Sequence, residues 1–247
     1  MIRMERRPLL LPANTDIPFP PVERALCEPD GLLAVGGDLS PARLLAAYRQ
    51  GIFPWYSEGQ PILWWSPDPR MVFRSDAVQL SSRIRRQLRH STWQVRADTA
   101  FAEVIVACAQ TPRTGQAGTW ITTAMRDAYV GLHRLGHAHS VEVLDGSTLV
   151  GGIYGVAIGR MFFGESMVSL QTGGSKVALA ALAHRLHQWG WPLIDAQVEN
   201  EHLRSLGAES WARADFMQQV GQLVASPQPT GSWTDRFGTL PVSLLAT

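Results

Sequence analysis

Net charge is almost absent: 22 Lys and Arg face 21 Asp and Glu, leaving +1 over 247 residues. No global basic field marks a nucleic-acid binder, so any such signal has to be local. Cysteine is scarce. Cys27 and Cys108 form no C-x-x-C pair, so neither a zinc ribbon nor a disulfide framework is indicated, and both read as reduced thiols in a cytosolic protein. No run of about 18 apolar residues exists, and no membrane span is expected. The basic start Met1–Arg7 meets Pro8, Pro12 and Asn14 rather than an apolar stretch, which argues against a secretory leader. The patterns G-x-S-x-G, H-E-x-x-H and G-x-x-x-x-G-K-[ST] are missing. His137-x-His139 and His184-x-x-His187 have no cysteine or acid at ligand spacing, so no metal site is expected. What is there is 45% hydrophobic and 17% charged, which fits a globular chain with a substantial core. The length allows one large domain, or a small one plus a larger one.

Proline and turn residues punctuate residues 1–40. Leu32–Asp38 reads as a short strand and tight turn, and Ser40-Pro41 opens a helix through Leu44, Leu45 and Tyr48 that stops at Gly51. Residues 52–73 are aromatic and proline-rich without a clear period, and a boundary falls near residue 74. This divides the chain into a small N-terminal domain, 1–73, and a larger one, 74–247. Leu80, Ile84 and Leu88 recur at helical spacing. Ser91–Val95 reads as a strand, Thr99–Ala109 as a helix, and a further helix runs from Thr122 to Gly136. Three strands follow: Ser140–Leu144, Leu149–Ile158 and Met161–Val168, the first two joined at the hairpin signal Asp145-Gly146. Ser175 is placed to cap a helix carrying Leu179, Leu182, Leu186 and Trp189. Pro192–Val198 reads as a fourth strand, with a helix from Glu201 and an irregular tail of about 25 residues. The fold class is α+β, with a small α/β N-terminal part. The order helix, three-strand meander, helix, strand, helix resembles a GNAT-type N-acyltransferase core, an analogy of fold alone.

Polar residues in apolar strands point to chemistry. In Leu193–Val198, Asp195 and Gln197 share one face while Ile194, Ala196 and Val198 share the other. Glu165 sits in Phe162–Met167 beside Gly164, which permits close approach of a ligand or another backbone. Each alone is as compatible with a structural hydrogen-bond network. Together, in consecutive strand modules, they suggest one site. Aromatics crowd Gly51–Tyr56 and Leu63–Arg70, and Trp120 follows Gly118-Thr119. These fit either domain packing or a stacking surface for a base. Residues 77–97 hold Arg83, Arg85, Arg86, Arg89 and Arg96 with no acid, and such a run suits phosphate contacts with the backbone of a nucleic acid.

The chain resembles the leucyl/phenylalanyl-tRNA–protein transferases over residues 18–216. The resemblance is carried by Pro29–Pro41, Tyr48–Trp55, Trp64–Arg70, Gly118–Thr122, Gly136–Val143, Gly164–Met167, Leu193–Val198 and His202–Ala208. Residues 170–174 and Ser210–Arg213 depart from the family pattern, and the loop at 111–117 is longer. The resemblance implies transfer of Leu or Phe, and less well Met, from aminoacyl-tRNA to proteins beginning with Arg or Lys, marking them for degradation. It implies no metal and no CoA, and it places Glu165, Asp195 and Gln197 in the active site with Trp55 and Trp120 near the tRNA 3′ end. A cytoplasmic monomer is expected. Ile153, Phe162, Leu179 and Leu186 are candidates for the donor side-chain pocket, although each fits ordinary core, and Ser166 joins the substrate-binding set. Arg83, Arg85, Arg86 and Arg89 are the tRNA-binding candidates. In the expected chemistry Gln197 hydrogen-bonds the attacking amine, Asp195 orients that amide, and Glu165 binds the amine or the cationic side chain. Two rivals remain at this point. A CoA-dependent N-acetyltransferase has Gln171-x-x-Gly174-x-Lys176 as a weak loop match, and a non-catalytic RNA-binding module leaves Glu165, Asp195 and Gln197 unexplained.

Overall fold

Ser40 starts the first helix with its own side chain, accepting the backbone N–H of Arg43, and Pro41 occupies the first helical position. Thr122 does the same for Met125. The computed structural model, which describes residues 7–13, 15–111 and 120–246, builds an α+β fold from such elements. In chain order they are β1 (Leu9–Leu11), β2 (Leu32–Gly36), α1 (Pro41–Arg49), β3 (Phe53–Pro54), β4 (Leu63–Trp65), β5 (Arg70–Arg74), α2 (Ser82–Leu88), β6 (Gln94–Ala97), α3 (Phe101–Gln110) and α4 (Thr123–Arg134). There follow β7 (Ala138–Asp145), β8 (Thr148–Ile158), β9 (Met161–Ser169), α5 (Gly174–Gln188), β10 (Leu193–Gln197), α6 (Glu201–Arg204), β11 (Glu209–Trp211), α7 (Arg213–Val224), α8 (Thr234–Phe237) and β12 (Leu240–Pro241). The start Met1–Arg6, Asn14, the longer loop at 112–117 and the Gly118-Thr119 end of the tryptophan motif lie outside the described residues.

A four-stranded sheet runs in the order β1-β2-β4-β3, and an eight-stranded sheet in the order β11-β5-β10-β9-β8-β7-β6-β12. Strands β7, β8 and β9 form the antiparallel meander, and β10 joins β9 in parallel after the crossover helix α5. The aperiodic stretch 52–73 holds three strands. The last of them, β5, pairs with β10 although it begins before residue 74, so the change of sheet comes between Trp65 and Arg70. One hydrophobic cluster runs through both parts, joining Leu33, Tyr48 and Trp64 to Phe101, Tyr129, Phe163 and Phe216. A second cluster packs α5 on the other face of the large sheet, with Val141, Ile153, Leu182, Leu186 and Ile194.

Three local expectations change. Gly173 caps α5 in place of Ser175, whose backbone N–H and hydroxyl are both engaged by Ser169. The helix expected from Glu201 ends after one turn at Arg204, and the chain turns at Gly207, with φ +97°, where a Cβ would lie 2.5 Å from the carbonyl oxygen of Ala77. The chain then forms β11 and restarts as α7. The C-terminal tail is ordered by burial of Trp233, Phe237, Leu240 and Val242, and β12 pairs with β6.

Candidate active site

Strands β9 and β10 pair from Leu193 opposite Met161 to Asp195 opposite Phe163, and the ladder ends there. Each strand carries a bulge at that point. Glu165 is the extra residue of β9 against β8, between the pairs Tyr154–Ser166 and Gly155–Gly164. Ala196 is the extra residue of β10 against β5, between Asp195–Val72 and Gln197–Met71. Bulges re-aim side chains, and here they turn two neighbouring strand ends into the walls of a cavity of about 440 Å³. The close approach expected at Gly164 is to backbone: a Cβ there would sit 3.1 Å from the carbonyl oxygen of Asp195. Gln197 adopts φ +63°, a conformation that non-glycine residues rarely hold.

The polar residues of the cavity form one connected set. Asp195 is fully buried and receives a two-pronged contact from Arg70, Nε to Oδ1 at 2.8 Å and Nη2 to Oδ2 at 2.6 Å. Arg70 also donates to the carbonyl of Gly51 and lies between the rings of Phe53 and Phe216, at 4.8 and 4.7 Å. The backbone N–H of Gln197 donates to Asp195 Oδ1 at 2.9 Å. Its side-chain Nε2 donates to Glu165 Oε1 at 2.8 Å. Asp195 therefore fixes the backbone of Gln197, and the amide expected to be oriented by Asp195 is held by Glu165 instead. Tyr48 donates to Oε1 of Glu165 at 2.7 Å and Tyr129 to Oε2 at 2.8 Å, and the two phenols touch each other.

Burial raises the Glu165 carboxyl, against the opposing effect of the two tyrosine hydrogen bonds, and the negative charge of Asp195 raises it further, to about 7. Burial and then the Glu165 charge push both phenols well above their ordinary value, so they remain donors. The set thus offers a carboxyl poised near neutrality, an amide of fixed orientation, and an ion pair that keeps a second carboxylate saturated.

Of the residues singled out in the sequence, Glu165, Asp195, Gln197, Trp55, Trp120, Ile153, Ser166 and Leu179 line the cavity. Phe162 and Leu186 do not. Phe162 is buried against Trp233, with ring centroids 5.8 Å apart, and Leu186 lies in the core under α5. Phe162 on β9 and Leu186 on α5 belong to the apolar cluster between the large sheet and that helix, the same cluster from which Ile153 and Leu179 reach the cavity. Arg83, Arg85, Arg86 and Arg89 line a separate cavity of about 420 Å³ along α2, together with Ser82 and Ala246. That helix reaches the start of α5, where a Cβ on Gly173 would sit 4.0 Å from Ile84 Cδ1. Arg96 is exposed on β6 and does not line this cavity. Sequence reasoning missed Arg70, Tyr48 and Tyr129. Tyr48 and Tyr129 read as apolar faces of their helices, and the signal for them was the hydroxyl, which needs a partner once buried.

Two family models match the chain in succession: the leucyl/phenylalanyl-tRNA protein transferase N-terminal domain over residues 37–68, and leucyl/phenylalanyl-tRNA protein transferase over residues 72–221. A leucyl/phenylalanyl-tRNA–protein transferase of Xanthomonas euvesicatoria pv. vesicatoria (strain 85-10) is 72% identical over 233 residues, 94% of this chain and 93% of that one. One of Xanthomonas oryzae pv. oryzae (strain MAFF 311018) is 69% identical over the same shares. Among solved structures, a functionally unknown conserved protein from Staphylococcus epidermidis ATCC 12228 aligns with 73% of this chain and 68% of that chain, at 7% identity and a TM-score of 0.40. Matches of this extent to both parts of the chain, in order, leave one assignment: the chain belongs to the leucyl/phenylalanyl-tRNA protein transferase family.

Proposed function

We propose that the cavity between β9 and β10 joins the aminoacyl ester of leucyl- or phenylalanyl-tRNA to the α-amine of a protein beginning with Arg or Lys. The observation that carries this reading is Gln197, held by Asp195 through its backbone and by Glu165 through its amide nitrogen. With Nε2 committed to Glu165, the amide oxygen is left to accept from the attacking amine. The amine has an ordinary pKa of about 7.7–8.0, and a useful fraction is neutral near pH 7.5. The ester needs no covalent nucleophile. A C–N bond forms at the acyl carbon and the C–O bond to the terminal ribose breaks. The amine's proton passes to the leaving hydroxyl, and Glu165, poised near 7, is the carboxylate suited to relay it. Asp195, saturated by Arg70, is a positioning residue. Holding amine and ester together supplies the rest, in favourable systems about 7–11 kcal/mol.

Trp55 and Trp120 offer stacking surfaces for the 3′-terminal adenine, and Ile153 and Leu179 an apolar wall for the donor side chain. Such a wall favours Leu, Phe and Met and disfavours β-branched Ile and Val by shape, to a modest degree. The arginines of α2 are assigned to tRNA phosphates. A cytoplasmic monomer is part of this reading. Its catalytic part is GNAT-like: a meander, a crossover helix and a parallel strand splayed at a bulge support that view. The smaller N-terminal part ends at the Ser66–Pro69 link rather than near residue 74.

Purified enzyme is given radiolabelled Leu-tRNA with a protein beginning with Arg and, separately, the same protein beginning with Ala. Label on the Arg protein alone is the expected result. With intact charged tRNA and folded enzyme, transfer to neither protein overturns the reading.

A further inference from the structure

Three acids line the cavity among the described residues, Glu165, Asp195 and Glu199, and no lysine or arginine does. Two of the three are already occupied. Glu165 accepts from Tyr48, Tyr129 and Gln197, and Asp195 accepts from Arg70 through both oxygens and from the Gln197 backbone. Glu199 differs in kind. It stands at the mouth, two residues past Gln197, with its side chain 45% exposed, and its partner is the guanidinium of Arg204, 50% exposed. An ion pair that open to water contributes little and exchanges readily. His202, also on the wall, is held below its ordinary pKa by burial and then by the charge of Lys176, so it adds no positive charge that would repel a cation at neutral pH.

We infer that Glu199 receives the cationic side chain of the acceptor's first residue, with the Arg204 guanidinium as the placeholder it displaces. The inference rests on the acceptor proposed above. Two residues of chain span at most about 7 Å, so an α-amine at Gln197 leaves an arginine or lysine side chain within reach of Glu199. The contact already made by Arg204 has the same chemistry, a guanidinium on a carboxylate at the cavity mouth. A planar fork suits a guanidinium best, so Arg exceeds Lys at this position.

Leucyl transfer from Leu-tRNA is measured to two peptides identical except for an N-terminal Arg or its neutral isostere citrulline. The wild-type chain is compared with Glu199→Gln, Glu199→Asp and Arg204→Ala, each checked for folding by thermal unfolding. In Glu199→Gln the Arg-to-citrulline ratio of kcat/KM falls about threefold to tenfold, chiefly through KM, and Glu199→Asp restores part of it. Arg204→Ala raises kcat/KM for the Arg peptide about twofold by removing the competitor. An unchanged ratio in Glu199→Gln overturns the inference while the acceptor assignment stands. If the wild-type enzyme labels neither peptide, the acceptor assignment falls and the inference with it.

Discussion

The side-chain amide of Gln197 donates to Oε1 of Glu165 over 2.8 Å, and this single contact decides which end of the amide faces the cavity. It also couples the residue proposed to accept from the amine to the carboxyl poised near neutrality.

Gln197→Ala removes the proposed acceptor for the amine and leaves Glu165 with its two tyrosine donors. Single-turnover transfer from pre-charged Leu-tRNA is expected to slow by about 10²-fold with tRNA affinity little changed. Glu165→Gln keeps the shape and removes the proposed proton relay. It is expected to flatten the rise of rate with pH through about 7, leaving only the limb set by the amine. A rise of wild-type steepness in Glu165→Gln would assign that limb elsewhere.

Glu165 also makes stability depend on pH in a definite direction. Burial raises its pKa from 4.5 in the unfolded chain to about 7 in the fold. The folded state holds the proton more tightly, so the stability contributed by the neutral carboxyl is complete below about pH 4.5. It is lost as pH climbs through about 7. Glu165→Gln stays neutral throughout. Urea unfolding at pH 5 and pH 8 should therefore show the variant gaining on wild type by about 1–3 kcal/mol at the higher pH. An equal difference at both pH values would place the Glu165 titration in the ordinary carboxylate range.

Breaking the Arg70–Asp195 pair from one side leaves a buried charge without a partner. Arg70→Met and Asp195→Ala are each expected to cost about 3–5 kcal/mol in denaturant unfolding. The double substitution should cost less than the sum, since it strands neither charge. Strict additivity would mean that water reaches the pair. Transfer should fall in all three variants, because the Gln197 backbone loses its anchor or its anchor's anchor.

The arginines of α2 are expected to act on tRNA and not on the acceptor. Arg83→Ala and Arg86→Ala should each raise the KM for Leu-tRNA and reduce the slope of log affinity against log salt by about one. The KM for the acceptor protein should not move. A filter-binding titration at several salt concentrations measures the slope, and a slope equal to wild type would remove these residues from the phosphate track.

Local signals carry information over a few residues, and within that range the sequence determined a good deal. The cap at Ser40-Pro41, the hairpin at Asp145-Gly146 and the strands β8 and β9 between their turn signals follow from short-range sterics and patterning. Glu165, Asp195 and Gln197 were legible as polar residues in apolar strands, because an unpartnered buried polar group is costly and so demands a reason. Tertiary structure alone decided what that reason is. Arg70 and Asp195 are 125 residues apart in the chain, and Tyr48 and Glu165 are 117 apart. No pattern within either segment encodes the other. Phe162 and Leu186, candidates for the donor pocket, pack into the core under α5, since an apolar side chain fits a core and a pocket equally well until its neighbours are known. The two bulges were invisible for a related reason. A bulge is a mismatch between two strands, at Glu165 against β8 and at Ala196 against β5, and it exists only once both strands are in register.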